Sequence, residues 1–130
     1  ITIFGGKQIR PNLTMYDMVN AYKFSLKRNF LKDRPIDKII YNLGFENLSI
    51  FNMAKRIQKK LKSKSKILIK PSNDPRSYRQ NSDRIIKEGF LPEKKIEDAI
   101  LEIQKEFDNK KITQKENYYR INTLKIINAK

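Results

Sequence analysis

The chain has 130 residues, with 29 Lys and Arg against 14 Asp and Glu, a formal net charge of +15, and neither cysteine nor histidine. This length suits one ordinary domain, and the missing residue types exclude disulfides, thiolate metal sites and histidine-based acid–base chemistry. No apolar run approaches the roughly 18 residues that a membrane helix needs, and no signal-peptide pattern is visible, so we expect a cytoplasmic protein without a membrane partner.

The positive charge has two interpretations, and composition leaves both open. An excess of basic residues is typical of proteins that bind nucleic acid or another anionic surface. However, Lys, Ile and Asn are all abundant here, and an A/T-rich genome would raise these three residue types together. Lys also far outnumbers Arg, whereas nucleic-acid binders more often favour Arg and grouped aromatic residues.

The first third of the sequence predicts two extended pieces and a helix. Residues 1–13 are rich in β-branched residues and are interrupted by a Gly5–Gly6 turn. A helix is expected over about 15–30, with Asp17 in its first turn, where a negative charge suits the helix dipole. Its predicted inner face consists of the apolar residues spaced by three and four: Met15, Met18, Val19, Tyr22 and Leu26.

The middle third predicts a strand and a helix with one strongly basic face. Residues 38–45 read as a buried strand that ends at a Gly44 turn. A helix follows over about 49–62, capped by Asn47 or Ser49. Its predicted outer face is formed by Lys55, Arg56, Lys59, Lys60 and Lys62. That face is either an ordinary solvated surface or a track for a phosphate backbone.

The last part of the chain predicts a strand over 66–70, a loop that contains Pro71 and Pro75, and two helices. The first helix is short and ends at Gly89, and the second covers about 95–108. Its predicted buried stripe comprises Ile96, Ala99, Ile100, Ile103 and Phe107. Residues 118–127 read as a strand or docking arm. The order of elements predicts a mixed α/β fold with too few strands for a complete doubly wound domain.

The residues suited to chemistry are those of a binding site, not of a catalytic set. The four glycines are scattered, so neither a P-loop nor a dinucleotide fingerprint is present. Arg10 follows an extended piece, and Arg76 and Arg79 flank Tyr78 in the loop after the 66–70 strand. Guanidinium groups suit phosphate because they donate paired hydrogen bonds and keep their charge. The alternative is structural pairing of these arginines with a carboxylate: Asp17, Asp74 or Asp83.

Three stretches carry a resemblance to a known family. GGKQIRPNLTMYDMVNAY, YNLGFENLSIFNMAKRI and DPRSYRQNSDRIIKEGFLPEKKIEDAILEIQKEF resemble, in this order, segments of the extended short-chain dehydrogenase/reductases. These enzymes are the NAD-dependent nucleotide-sugar epimerases and dehydratases, and the similarity is to their C-terminal half. It covers about residues 3–108, which we take as one substrate-binding portion, with 109–130 as a C-terminal tail.

The resemblance implies a division of labour between two halves. The fold would be a small mixed α/β substrate-binding portion that lacks most of the Rossmann sheet. In the family, an N-terminal Rossmann half holds NAD or NADP and carries a Tyr-x-x-x-Lys pair, which does not occur in this sequence. Because the chain also begins at Ile1 inside an apolar run, we expect a fragment of a larger enzyme that is inactive alone. The expected partners are a nucleotide-diphosphate sugar, the missing Rossmann half and further copies of the chain.

The resemblance also implies roles for six residues. Arg10 would contact the diphosphate, with Gln8 and Asn12 beside it along the substrate channel. Asp74 would accept hydrogen bonds from the ribose, Arg76 would make a second diphosphate contact, and Tyr78 would lie near the sugar. The sequence departs from the family pattern at two places. Thr14 stands where the family often has His, and only Lys70 is close to a position where many members have a further Arg.

Two other functions remain open from the sequence. One is a basic nucleic-acid-binding module that uses the helix over about 49–62. The other is a non-catalytic subunit that completes the enzyme of another chain. The resemblance does not distinguish among sugars, nor between epimerisation, dehydration and reduction.

Overall fold

The computed structural model describes residues 1–30, 35, 40–112 and 127. In chain order these residues form β1 (Thr2–Phe4), β2 (Ile9–Asn12), α1 (Met15–Phe30), β3 (Glu46–Ser49), α2 (Ile50–Lys60), β4 (Leu68–Lys70), α3 (Asp83–Lys87) and α4 (Ile96–Asp108). The described part is therefore a small mixed α/β fold with four helices and two sheets of two short strands each. This confirms the mixed α/β class predicted from the sequence.

The first sheet is the parallel pair of β1 and β4. Thr2 lies opposite Leu68 and Phe4 opposite Lys70. The amide of Gly5 extends the pairing by donating to the carbonyl of Lys70 at 2.8 Å. Gly5 and Gly6 have φ angles of +79° and +118°, which side chains rarely tolerate, so the chain can reverse here and enter β2.

The second sheet is antiparallel and corrects one predicted strand. β2 pairs with β3 so that Ile9 faces Ser49 and Asn12 faces Glu46. The strand predicted over 38–45 is wrong where it can be judged: residues 40–45 are not in a strand, and 38–39 lie outside the described residues. The apolar side chains of Tyr41, Leu43 and Phe45 pack on the core instead, and the polar segment after them takes the pairing with β2.

The core centres on Phe90, which lies just after α3. Phe90 packs with Ala21 and Ile85 and meets the ring of Phe24 edge-on at 5.6 Å between centroids. Gly89, with φ +102°, ends α3 as predicted and lets Phe90 turn back toward the core. The core is small, and its contacts come from α1, α3 and the chain before β3.

Helix α1 has the predicted bounds, but its predicted inner face is wrong. Met15, Tyr22 and Leu26 are 71%, 62% and 56% exposed, whereas Ala21 is fully buried. The face that packs inward is the one with the small Ala21, because this residue allows close approach to Phe90. A continuous apolar stripe on α1 is therefore left on the surface of the described fold.

A buried carboxylate fixes the start of α1. Asp17 is 1% exposed and accepts hydrogen bonds from the hydroxyl of Thr14 at 2.8 Å and from the backbone amides of Glu93 at 2.8 Å and Lys94 at 3.1 Å. Thr14 in turn accepts from the Asp17 amide at 3.1 Å. Asp17 thus does more than complement the helix dipole: it fastens α1 to the segment that leads into α4.

Helices α2 and α4 pack together and are held by one arginine. Ser49 caps α2 by accepting from the Asn52 amide at 3.1 Å, which selects Ser49 over Asn47. Arg56 of α2 donates to Glu46 of β3 and to Glu97 of α4, so three elements meet at one guanidinium. The hydrogen bonds that Arg56 donates to Glu97, opposed by partial desolvation, raise the pKa of Arg56 above its ordinary value.

The predicted buried stripe of α4 is confirmed only at its start. Ile100 is buried, but Ile103 and Phe107 are 53% and 50% exposed. The docking arm predicted over 118–127 lies outside the described residues, apart from residue 127. No helix among the described residues combines the length and apolar character needed to cross a membrane.

Candidate functional site

The loop after β4 runs alongside β2 and brings distant residues together. The amide of Tyr78 donates to the carbonyl of Ile9 at 3.3 Å, and the amide of Ile9 donates to the hydroxyl of Ser77 at 3.0 Å. These contacts carry Asp74, Arg76 and Tyr78 to the side of Arg10. Four of the six residues predicted to bind substrate therefore form one group, the Arg10 cluster.

Arg10 is the centre of this cluster. Its Nη1 donates to the carbonyls of Ile9, at 3.0 Å, and of Arg76, while Nη2 donates to Asp74 Oδ2 at 3.2 Å. The guanidinium also lies over the ring of Tyr78, 5.1 Å from its centroid. The side chain is 24% exposed, so Arg10 is fixed in place but still reaches the surface.

Asp74 joins the two arginines. Arg76 forms a bidentate pair with Asp74, in which Nε donates to Oδ1 at 2.7 Å and Nη2 donates to Oδ2 at 2.9 Å. The backbone amide of Arg76 donates a further hydrogen bond to Oδ1 at 3.1 Å. The side-chain hydrogen bonds from Arg76, then its amide, lower the pKa of Asp74 to about 2. Asp74 is therefore ionised at neutral pH, and the same contact raises the pKa of Arg76.

The cluster keeps capacity for an anionic ligand. One carboxylate and two guanidinium groups leave a net positive charge at this surface. A guanidinium has five N–H donors. Arg10 still has its Nε donor and one Nη2 donor, while the 76% exposed Arg76 keeps both Nη1 donors. Two neighbouring forks with spare donors suit a phosphate group or a diphosphate.

The other two predicted residues have structural partners. Gln8 Oε1 accepts from the Gly6 amide at 2.7 Å, and its amide group occupies the space that a side chain at Gly5 would need. Asn12 Nδ2 donates to the carbonyls of Arg10 at 2.8 Å and Glu46 at 3.1 Å. Both side chains hold the backbone on either side of Arg10 and are not part of the Arg10 cluster.

A polar cavity follows directly along the chain from Tyr78. Its volume is about 420 Å³, and its lining includes Asn47, Gln80, Asn81 and Ser82. Asn47 shapes it by exchanging two bonds with the backbone of Gln80, each at 3.0 Å. From the sequence, Asn47 is predicted only as a candidate helix cap. The signal that could have revealed this role is its place beside a predicted glycine turn.

The basic face of α2 differs from its sequence prediction in one respect. Arg56 is not an outward-facing residue, because it is engaged by Glu46 and Glu97. Lys55 lies over the ring of Phe51, 4.6 Å from its centroid. Lys59 and Lys62 are exposed and make no side-chain hydrogen bond or ion pair within the described part of the chain.

Neither a scan of protein-family models nor searches of curated proteins and of solved structures finds a match to this chain. Among the described residues, no group of three or more acidic side chains is arranged to hold a metal ion. The features of this chain that bear on function are therefore the chemistry and geometry of the Arg10 cluster, together with the sequence resemblance.

Proposed function

We propose that this chain is the substrate-binding portion of an NAD(P)-dependent nucleotide-sugar epimerase or dehydratase, and that Arg10 and Arg76 hold the diphosphate. The observation that carries the proposal is the meeting of two arginines from separate segments on a single carboxylate. The sequence resemblance assigns ligand-binding roles to the same residues.

The geometry favours ligand binding over a purely structural ion pair. A single arginine would be enough to neutralise Asp74, yet two are present, and Arg76 is 76% exposed. Arg10 is braced by two carbonyls, which fix the direction of its guanidinium before a ligand arrives. Such preorganisation reduces the entropy lost on binding. A diphosphate would bridge the spare donors. Asp74 already accepts four hydrogen bonds from the two arginines, so in place of the predicted contact with the ribose it would hold both guanidinium groups in position.

The uncovered apolar surfaces support a Rossmann partner half. Within the described residues, β1 and β4 form a parallel pair of two strands, while Phe4, Leu68 and Ile69 are exposed. Parallel sheets are normally covered on both faces, and two strands alone are marginally stable. We propose that a Rossmann half covers this sheet and the exposed stripe of α1. Without it, the same surfaces would drive copies of the chain to associate.

In this proposal NAD or NADP is bound by the Rossmann half, where it accepts and returns a hydride. The four scattered glycines of this chain do not provide the fingerprint that the cofactor needs. The residues described here would bind and orient the nucleotide in the cytoplasm, and they take no part in proton or hydride transfer.

The test measures the binding of nucleoside diphosphates to the chain by isothermal titration calorimetry or ligand-detected NMR. With UDP, GDP and TDP as probes, at least one should bind. Arg10→Ala should weaken it by about 2–3 kcal/mol, or roughly 30- to 150-fold, the range for a hydrogen bond to a charged group. Lys105→Ala removes an equal charge from the exposed side of α4 and should have no effect.

Two results would contradict the proposal. Equal binding by the Arg10→Ala and Lys105→Ala variants would make Arg10 structural. Turnover of a nucleotide sugar by the chain alone would refute its identity as the non-catalytic portion.

A further inference from the structure

One segment of the chain carries positive charge without any acid to offset it. Residues 47–73 contain no Asp or Glu, and they include eight basic residues: Lys55, Arg56, Lys59, Lys60, Lys62, Lys64, Lys66 and Lys70. A general preference for Lys would raise the number of lysines along the whole chain, but it would not remove acids from one stretch. The structure shows where these charges lie relative to one another.

Helix α2 places three of the lysines in one row. Lys55, Lys59 and Lys62 are spaced by four and three residues, which brings side chains to the same face of a helix. Lys62 follows the last residue of α2, and its amide continues the bonding of the last turn by donating to the Lys59 carbonyl at 3.2 Å. All three side chains are exposed. At 1.5 Å per residue, the row is about 10 Å long.

The turn after α2 brings two further lysines beside this row. Gln58 lies three residues after the first member of the row and four before the last, so it flanks the row. The Ser63 amide donates to the Gln58 carbonyl at 3.0 Å, and the Gln58 side chain donates to the Ser65 carbonyl. These bonds hold the turn against the flank of the row, together with its exposed Lys64 and Lys66.

The row and the turn together form one exposed surface, the lysine patch, which consists of Lys55, Lys59, Lys62, Lys64 and Lys66. Within the part of the chain that the structure describes, none of these five side chains forms an ion pair or donates a hydrogen bond. Lys55 contacts the ring of Phe51, 4.6 Å from its centroid, and this contact leaves the charge of the ammonium in place.

The acids of the elements that pack on α2 do not neutralise the patch. These elements are β1, β3 and α4. Glu46 of β3 and Glu97 of α4 both bind Arg56, and Glu97 also attracts Lys60. Neither Arg56 nor Lys60 belongs to the patch, so these two carboxylates are already engaged elsewhere.

The other acids of α4 leave most of the positive charge of the patch unopposed. Asp98 and Glu102 line a cavity on the side of α4 toward the start of α1. Glu106 pairs with Lys111. Asp108, at the end of α4, is exposed and forms no ion pair within the described residues. This single carboxylate cannot offset five ammonium groups.

We propose that the lysine patch binds the phosphate backbone of a nucleic-acid duplex without reading its sequence. An ammonium group binds phosphate as a point charge and does not require the paired geometry of a guanidinium. A duplex carries one charge per about 1.7 Å of its axis, so a row about 10 Å long lies alongside about six phosphates. The patch shares no residue with the Arg10 cluster, and the proposal does not depend on the nucleotide-sugar function.

The same surface argues against three other partners. Single strands are bound largely by stacking on aromatic side chains, but Phe51 is the one aromatic residue among residues 50–66, and Lys55 covers its ring. A lipid surface is bound by apolar side chains that protrude, and none of the large apolar side chains of residues 50–66 is exposed. An acidic protein segment needs apolar anchors as well as charge, and the patch offers no apolar pocket to receive them.

The test uses a fluorescent DNA duplex of about 24 base pairs and arbitrary sequence. Fluorescence anisotropy would measure its binding to the full chain at several salt concentrations. We expect micromolar affinity near physiological salt, and a slope of log K against log salt of about −4 to −5 if the five lysines each neutralise one phosphate. Affinity should then fall by roughly 250- to 1000-fold between about 50 and 200 mM salt.

Paired variants locate the binding on the patch. Lys59→Gln with Lys62→Gln should weaken binding by at least about tenfold at 100 mM salt and reduce the magnitude of the slope by about 2. Lys64→Gln with Lys66→Gln should have a similar effect, and it cannot act by disturbing α2. As the control, Lys23→Gln with Lys27→Gln removes the same charge from exposed positions of α1 and should leave affinity within about twofold.

Three results would overturn the proposal. The first is no binding of the duplex at micromolar protein in about 50 mM salt. The second is equal weakening by the control pair on α1, which would assign the binding to the total charge of the chain. The third is equal displacement of the duplex by polyglutamate of the same total charge, or tighter binding to phosphatidylserine vesicles that is lost with the same lysine substitutions. Either form of the third result would assign the patch to a different acidic partner.

Discussion

Replacing the buried Asp17 gives the most direct test of how this fold is held together. The carboxylate is 1% exposed and serves three donors: the Thr14 hydroxyl and the amides of Glu93 and Lys94. In Asp17→Ala these donors lose their acceptor. In Asp17→Asn the shape is kept, but one oxygen becomes an NH₂ group that faces other donors.

The magnitude follows from the number of donors left without a partner. An unsatisfied buried donor costs about 1–3 kcal/mol, and bonds to a charged acceptor are at the upper end. We therefore expect Asp17→Ala to lower the free energy of unfolding by about 4 kcal/mol and Asp17→Asn by about 2–3 kcal/mol. Because native domains are stable by only about 5–15 kcal/mol, either loss is a large fraction of the total.

Urea unfolding followed by circular dichroism measures these changes, and Asp83→Asn is the matched control. Asp83 is also acidic and in the first turn of a helix, α3, but it is exposed, and among the described residues its carboxylate accepts a hydrogen bond only from Asn81. The two Asn variants share the loss of a favourable helix-dipole interaction, so their difference reports the buried bonds. With a slope of about 1.5 kcal/mol per M, Asp17→Asn should shift the midpoint by about 1.3–2 M.

Similar stabilities of the two Asn variants would contradict the role of Asp17 in fastening α1. If Asp17→Asn and Asp83→Asn unfold within about 0.5 kcal/mol of each other, the bonds from residues 93 and 94 do not fasten α1.

Three further predictions concern other contacts of the fold. Because its pKa is lowered to about 2, Asp74 should stabilise the fold above pH about 4 and lose this effect as pH falls toward 2, so the free energies of unfolding of wild type and Asp74→Asn should converge in acid. An NMR titration of the carboxyl carbon measures the pKa, and a value near 4 would contradict the contact with Arg76. Arg56→Lys should lower the free energy of unfolding, measured in urea, by about 1–2 kcal/mol, because one ammonium cannot replace the paired hydrogen bonds that the guanidinium donates to Glu46 and Glu97. An unchanged stability would show that these ion pairs do not contribute to it. Gly44→Ala should lower the free energy of unfolding by about 1–3 kcal/mol, measured by thermal melting, because the new methyl group would lie 2.6 Å from Pro11 Cβ. An unchanged melting temperature would mean that the loop shifts without cost to make room for it.

The sequence predicted the long helices better than the faces they bury. Apolar spacing located α1, α2 and α4 nearly to their ends. Periodicity reports where apolar residues gather, however, and not which side a neighbour covers. On α1 the richest stripe stays exposed, while the buried side carries Asp17 and Ala21. An acidic residue in a first turn has the same sequence pattern whether it faces water or accepts buried bonds.

Strand positions were harder to predict because pairing decides them. The segment Glu46–Ser49 is polar and lacks alternation, yet it pairs with β2, while the more apolar stretch before it packs on the core. A local sequence pattern cannot predict this pairing, since strand formation here depends on the residues of the partner strand.

The Arg10 cluster shows what the sequence could and could not determine. Residue types and loop position singled out Arg10 and Arg76 as candidates. Three carboxylates were open as partners, and no local rule predicts that Arg10 meets Asp74, which lies 64 residues further along the chain. The structure selects Asp74, since Asp17 is buried beside Thr14 and Asp83 bonds Asn81.

The parallel pairing of β1 with β4 also sets an order of events during protein synthesis. The paired strands are about 65 residues apart in the sequence, and the hydrogen bond from the Ile1 amino group to the Lys66 carbonyl spans the same separation. At about 5–20 residues per second, a ribosome needs roughly 3–13 s to make that stretch. Throughout this time β1 has left the ribosome ahead of its partner strand, with its backbone donors and acceptors unpaired. Nascent chains on one messenger therefore share an interval in which β1 strands can pair with each other, and rapid capture by a chaperone would protect them.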